Sequence, residues 1–271
     1  MAIRWVDRVP TYANRVRIVP EDGSAPYYAT MERADQPTVV GTPINAANLN
    51  AMQEASGLTA HKYVYVATTG SDTTGNGSES APYATINKAL KDIPANLNGF
   101  TARVHIAAGT YAENVVIQNI GNGIIAFTGN TDDVVTISGL VTVTNVQYME
   151  IYNVSFNIAN SHFNVVGSNV SIHTKFSASG GQYGIYATFF SNIALSNVTT
   201  ISNTTANGII STNGSSIYLE HLAGSGNNNM ITSTRGATCT FGKNEATATS
   251  QYYTANGGRI FSGAQTNIPV N

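Results

Sequence analysis

Groups that can move a proton are scarce in most of this chain. Beyond residue 120 the only carboxylates are Asp132, Asp133, Glu150, Glu220 and Glu245. Cleaving a polysaccharide needs two carboxyl groups, or a carboxyl group with a cation, clustered on one face and roughly 5–9 Å apart for glycoside hydrolysis. Asp132 and Asp133 are adjacent, so on a strand they would point opposite ways, and "NTDDV" reads as a turn. Glu150 and Glu220 have no acidic partner in the repeat register derived below. His173, and the set Asn197, His221 and Lys243, read either as a solvated face or as a strip that touches sugar. No zinc spacing, phosphate loop or nucleophile elbow occurs, and no cofactor or metal is implied.

Aromatic residues are the other groups with chemical meaning. "GQYGIYATFF" holds Tyr183, Tyr186, Phe189 and Phe190, and "SQYYTANGGRIF" holds Tyr252, Tyr253 and Phe261. Exposed tyrosines can stack on sugar rings while Asn and Ser supply hydrogen bonds; the competing reading is that these rings fill a core or a subunit interface. Tyr183, Tyr186, His221, Tyr252 and Tyr253 are the candidate glycan contacts. The lone cysteine, Cys239, sits in the alternating "TCTF" and reads as a small buried residue.

These residues must be positioned by a chain of unusual make-up. Of 271 residues only 10% are charged, while 42% are hydrophobic, so the surface is made polar by Ser, Thr, Asn and Gly. A net charge of −2 argues against nucleic acid as the main partner. No apolar run reaches the ~18 residues of a membrane span. "MAIRWVDRVP" has no signal-peptide core, so synthesis in the cytoplasm is expected.

Charge is also unevenly spread. Residues 1–62 hold 12 of the 28 charged side chains, which marks a boundary near residue 62. Before it, "NRVRIVP" alternates as a strand through Val16 and Ile18, and "EDGSAPYYATMERADQP" reads as a turn followed by a second strand. "GTPINAANLNAMQEASG" reads as a helix, started at Pro43 and Asn45 and stopped at Gly57. Its stripe of Ile44, Ala47, Ala51, Ala55 and Leu58 packs either within its own domain or on copies of itself.

After residue 62 the chain reads as a strand, a glycine-rich loop and one short helix at about 84–93, with Ile86, Leu90 and Ile93 on one face, Ala89 beside them and Pro94 as the stop. From residue 101 onward it is nearly all short strands. Repeats begin at Ser168, Ser191, Ser215 and Ala237, with a further one in front from Asn145. Each opens on an alternating apolar pair: Met149 and Ile151, Val170 and Ile172, Ile193 and Leu195, Ile217 and Leu219, Cys239 and Phe241. The first members are 21, 23, 24 and 22 residues apart. That period predicts a parallel β-helix whose paired residues form inward columns, with Ser, Thr and Asn on the exposed positions. In this register Glu220 stacks near Ser196 and Gly242, and Glu150 lies three coils away, about 14 Å at strand spacing. The helix at 84–93 is expected to cap the open end of the first coil.

"YVYVATTGSDTTGNGSESAPYATINKAL" followed by "VHIAAGTYAENVVI" resembles the opening of right-handed parallel β-helix proteins of the pectin-lyase-like superfamily, which includes many phage tailspikes and receptor-binding proteins. The resemblance rests on Gly70, Ser71 and Asp72, on "PYATI", and on Gly109, Thr110, Tyr111 and Glu113. It covers about residues 62–118, and the repeats extend it to about 262. "VDRVPTYANRVRIVPEDGS" and "GTPINAANLNAM" resemble the start of tail-fibre and baseplate-associated proteins of prophages and phage-tail-like particles. Together these imply a mainly β protein: a small mixed α/β region, residues 1–62, for attachment and trimerisation, then a β-helix domain, residues 63–271. They imply a homotrimer that docks on a baseplate and recognises a host cell-surface polysaccharide or teichoic acid, residing on a virion or tail-like particle. Two rivals use the same scaffold. One is a polysaccharide lyase or hydrolase, with a site completed by neighbouring copies. The other is a purely structural baseplate component.

Overall fold

The computed structural model describes two short strands near the N-terminus and residues 57–262, apart from Asp132 and Val154. β1 (Arg15–Ile18) pairs antiparallel with β2 (Tyr27–Thr30), Arg15 opposite Thr30 and Ile18 opposite Tyr27, so both expected strands are present. The helix expected between Pro43 and Gly57 lies outside the described residues.

From Gly57 the chain forms a separate compact unit. It opens with β3 (Lys62–Val66), followed by α1 (Ile86–Lys91), β4 (Thr101–Ile106), β5 (Gly109–Tyr111) and β6 (Val115–Gln118). Between residues 101 and 262 the chain is a parallel β-solenoid of about seven turns. Each coil contributes a strand segment to each of three faces; β4, β5 and β6 lie on the first, second and third, with β3 ahead of β4 on the first. The apolar pairs read from the sequence are register partners on the first face: Met149 on Val170, Val170 on Ile193, Ile193 on Ile217, and Ile217 on Cys239. The column runs back through Ile125 to Ala102 and on to Ile260. These residues are at most 2% exposed, and burial pushes the Cys239 thiol up to about 12.

Polar residues follow a second rule. Ser, Thr and Asn are expected mainly on exposed positions, yet Ser168, Ser191 and Ser215, the first residues of three repeats, are buried at the corner before the first face. Their hydroxyls accept the backbone N–H of the preceding coil: Val146 to Ser168 at 2.9 Å, Ser168 to Ser191 at 3.4 Å, and Ser191 to Ser215 at 3.1 Å. A corner cannot continue the sheet ladder unaided, so the serine supplies the missing acceptor.

α1 contacts β3, β4 and β6, with Ile86, Ala89 and Ile93 buried and Leu90 packed against the core. At six residues it is too short to be stable alone. Two carboxylates fix its start. Asp72 accepts from the Ala84 and Thr85 N–H groups at 2.8 and 3.1 Å and from the Thr85 hydroxyl at 2.6 Å. Glu113 accepts from the Ile86 and Asn87 N–H groups at 2.7 and 3.1 Å. Thr85 caps the helix by accepting from the Lys88 N–H. Burial pushes the Asp72 carboxyl up, but the hydrogen bonds from Thr85 and Ala84 and the nearby Lys88 charge outweigh it, leaving Asp72 below its usual value. The acidic residues of the two resembling motifs therefore anchor the helix.

Candidate ligand-binding groove

On the first face, inward residues alternate with outward ones. The outward residues run in two columns along the stack. Asn169, Asn192, Ser216 and Thr238 form one, and Glu150, Ser171, Ala194, Tyr218 and Thr240 form the other. Ser171 and Ala194 are small, and Tyr148 and Tyr218 stand up around them. The result is a groove of about 530 Å³, lined among others by Tyr148, Asn169, Ser171, Asn192, Ala194, Ser216 and Tyr218. Tyr148 precedes Met149 and falls in line with Asn169. It is therefore three coil steps from Tyr218, about 14 Å at strand spacing.

The groove's polar groups are already aligned. The Tyr148 hydroxyl lies 3.0 Å from the Ser171 hydroxyl. Asn169 Nδ2 donates to the Gln147 carbonyl, and Asn192 Nδ2 donates to Asn169 Oδ1, both at 2.8 Å. This ladder holds the Asn169 amide plane and presents the exposed Asn192 at the groove. Tyr218 is 47% exposed. The lining contains no Lys, Arg, His, Asp or Glu. Aromatic surface and amides without charge suit a neutral ligand with hydroxyl groups and apolar faces.

No family model, no curated protein and no solved structure matches the chain. The site is read from its own chemistry.

The sequence-derived candidates are distributed elsewhere. Tyr183 and Tyr186 lie on the third face with ring centres 5.5 Å apart, and His162 meets Tyr183 edge-on at 5.6 Å. Burial lowers the His162 pKa. Tyr253 is on the same face, in line with Tyr186 through Ile210 and Thr232, and is 49% exposed. Tyr252 alternates to the opposite side: its ring stacks on Phe241 at 5.7 Å, packs against the core, and its hydroxyl accepts from Asn244 Nδ2. Tyr252 thus packs toward the core, while Tyr183 and Tyr186 form an aromatic pair on the third face and Tyr253 lies three coil steps from Tyr186.

His221 lies on the second face. The expected column of Asn197, His221 and Lys243 is broken at its first member, because an irregularity after Leu195 sets Val198, not Asn197, opposite His221. His221 does stack on Lys243. Glu245 completes the group: its carboxylate lies 2.8 Å from His221 Nε2 and also bonds Lys243. The Lys243 and His221 hydrogen bonds hold the Glu245 carboxyl below its usual value. Glu220 stands beside Gly242, as read from the repeats, where a Cβ would lie 2.6 Å from the Glu220 carbonyl oxygen. Glu150 is half-buried on the first face beside Ser171, and Asp133 closes the expected turn by bonding back to Asn130. Among the described residues no three His, Cys, Asp or Glu are grouped to hold a metal ion.

The groove itself was missed in the sequence. Its signal is the outward member of each repeat, which falls to Ser or Ala at 171 and 194 between two tyrosines.

Proposed function

We propose that this chain is a tail-fibre or receptor-binding protein of a phage or phage-tail-like particle. In this reading it is a homotrimer docked on a baseplate through residues 1–62. It presents a right-handed, pectin-lyase-like β-helix whose first-face groove binds neutral sugar units of a host cell-surface glycan, either of a capsule or carried as substituents on a teichoic acid. The N-terminal and cap motifs support the particle assignment by resemblance. The observation that carries the glycan reading is the uncharged groove between Tyr148 and Tyr218, with its aligned asparagine ladder.

Two measurements test the reading. Light scattering on a size-exclusion column should give about three times the 28.6 kDa chain mass; a clean monomer would count against a fibre. Calorimetric titration with purified bacterial surface polysaccharides should detect binding that Tyr218→Ala weakens roughly tenfold, the loss of about one aromatic contact. Unchanged affinity in that variant would remove the groove from the binding surface. Release of shorter oligosaccharides would shift the assignment to a depolymerase.

A further inference from the structure

The corner between the third and first faces is built alike in the last three coils. Two consecutive residues there turn the chain with positive φ: Asn213 and Gly214 at 51° and 74°, Arg235 and Gly236 at 53° and 72°, Asn256 and Gly257 at 51° and 79°. Asn and Gly are the residues that tolerate this conformation. The coil before these makes the same two-residue turn with bulky residues, Phe189 and Phe190 at 54° and 58°, and the two coils before it turn on a single residue, Asn145 or Gly167. The registers on either side make these two the counterparts of Asn213 and Gly214.

Two objections stand against this pair in purely structural terms. A bulky residue with positive φ is strained, and here there are two in sequence. Both rings are also out of the core: Phe189 is 60% and Phe190 77% exposed. Packing of the fold therefore does not explain them. Their position does offer a reason. Phe190 is two residues before Asn192, and its ring lies on Gly214, where a Cβ would come within 2.5 Å of it. Gly214 is two residues before Ser216. Asn192 and Ser216 both line the first-face groove, so the aromatic pair stands at the corner through which the chain enters that groove, at mid-length.

We infer that Phe189 and Phe190 extend the groove as an aromatic wall that takes the C–H face of a neutral saccharide. This inference rests on the groove reading above. The lining carries no cation to pair with phosphate, and Glu150 stands beside Ser171 at one end of the same column, which together select neutral sugar units over a polyphosphate backbone. Strain at the corner is the cost of placing two rings where the three following coils place Asn or Arg followed by Gly.

The test is the double variant Phe189→Asn/Phe190→Gly, which restores the local pattern, run beside Tyr218→Ala. The probes are immobilised neutral oligosaccharides of glucose, galactose and N-acetylglucosamine, with poly(glycerol phosphate) as the anionic comparison. The double variant should melt higher, by roughly 2–4 °C or more, and bind the neutral oligosaccharides about tenfold more weakly. Higher melting with unchanged affinity, while Tyr218→Ala still weakens binding, would overturn the inference and leave the groove standing. If neither variant alters binding, or no oligosaccharide binds, the groove reading falls and the inference with it. Binding confined to poly(glycerol phosphate) would overturn the neutral-ligand assignment. A lower melting temperature, or a smaller particle mass, would assign the pair to the fold or to contacts between copies, and would also overturn it.

Discussion

Replacing Phe156 with alanine is expected to cost about 3–5 kcal/mol of folding free energy. Phe156 is fully buried and sits between Phe127 and Phe176, with ring centres 6.2 and 6.5 Å away. Phe163, from the third face, closes on Phe176 at 5.6 Å. These four rings come from all three faces and fill the centre of the stack, so removing the middle one leaves a space that no single neighbour can fill. Sheets on three sides limit collapse, which places the cost toward the upper end of the usual range. Urea unfolding should show a lower midpoint with an unchanged slope. A loss below about 1 kcal/mol would mean that the core relaxes freely, and that the interior is not close-packed as described.

Gly224→Ala is expected to be comparably damaging for a different reason. Gly224 turns the corner between the second and third faces with φ of +122°, and a Cβ there would lie 1.8 Å from the carbonyl oxygen of Ile201. That oxygen also accepts a hydrogen bond from the buried Asn227 amide at 2.9 Å. Asn227 in turn receives the Thr204 hydroxyl at 2.8 Å. Making room for a methyl group displaces the Ile201 carbonyl and breaks this buried network, on top of the backbone strain. A loss of roughly 4 kcal/mol or more is expected, among the largest for a single methyl group. Gly236 is the control: its φ is +72°, yet nothing lies within 4 Å of its Cβ position. Gly236→Ala should therefore carry only the conformational term, about 1–2 kcal/mol. Equal losses in the two variants would show that close approach is not what fixes glycine at residue 224.

The stacking of this fold was legible because its inward positions obey a simple rule. Alternating apolar pairs such as Val170 and Ile172 can only face a core, and their recurrence set the register that the strands adopt. The short helix was equally readable from Ile86, Ala89 and Ile93. Corners were harder. A serine buried at 168, 191 or 215 looks like a surface residue until the neighbouring coil's N–H is in view. The irregularity after Leu195 shifted Asn197 out of its column, a local event that spacing does not encode. Tyr252 and Tyr253 are adjacent and aromatic, but strand alternation sends one to the core and one to the surface. The groove was least visible of all, since a depression is made by what Ser171 and Ala194 lack. Attachment through residues 1–62 rests on resemblance alone.

The serine corner sets how such a molecule can change its length. Ser168, Ser191 and Ser215 each receive their bond from the coil before, so these three joints are the same joint repeated. A single inserted residue within a strand would turn every following side chain over. A whole coil, from one serine to the next, can be added or removed with both joints remade. The stack is thus a ruler graduated in steps of one strand spacing, about 4.8 Å. A longer or shorter stack can arise by duplicating or deleting one segment, without redesigning the rest.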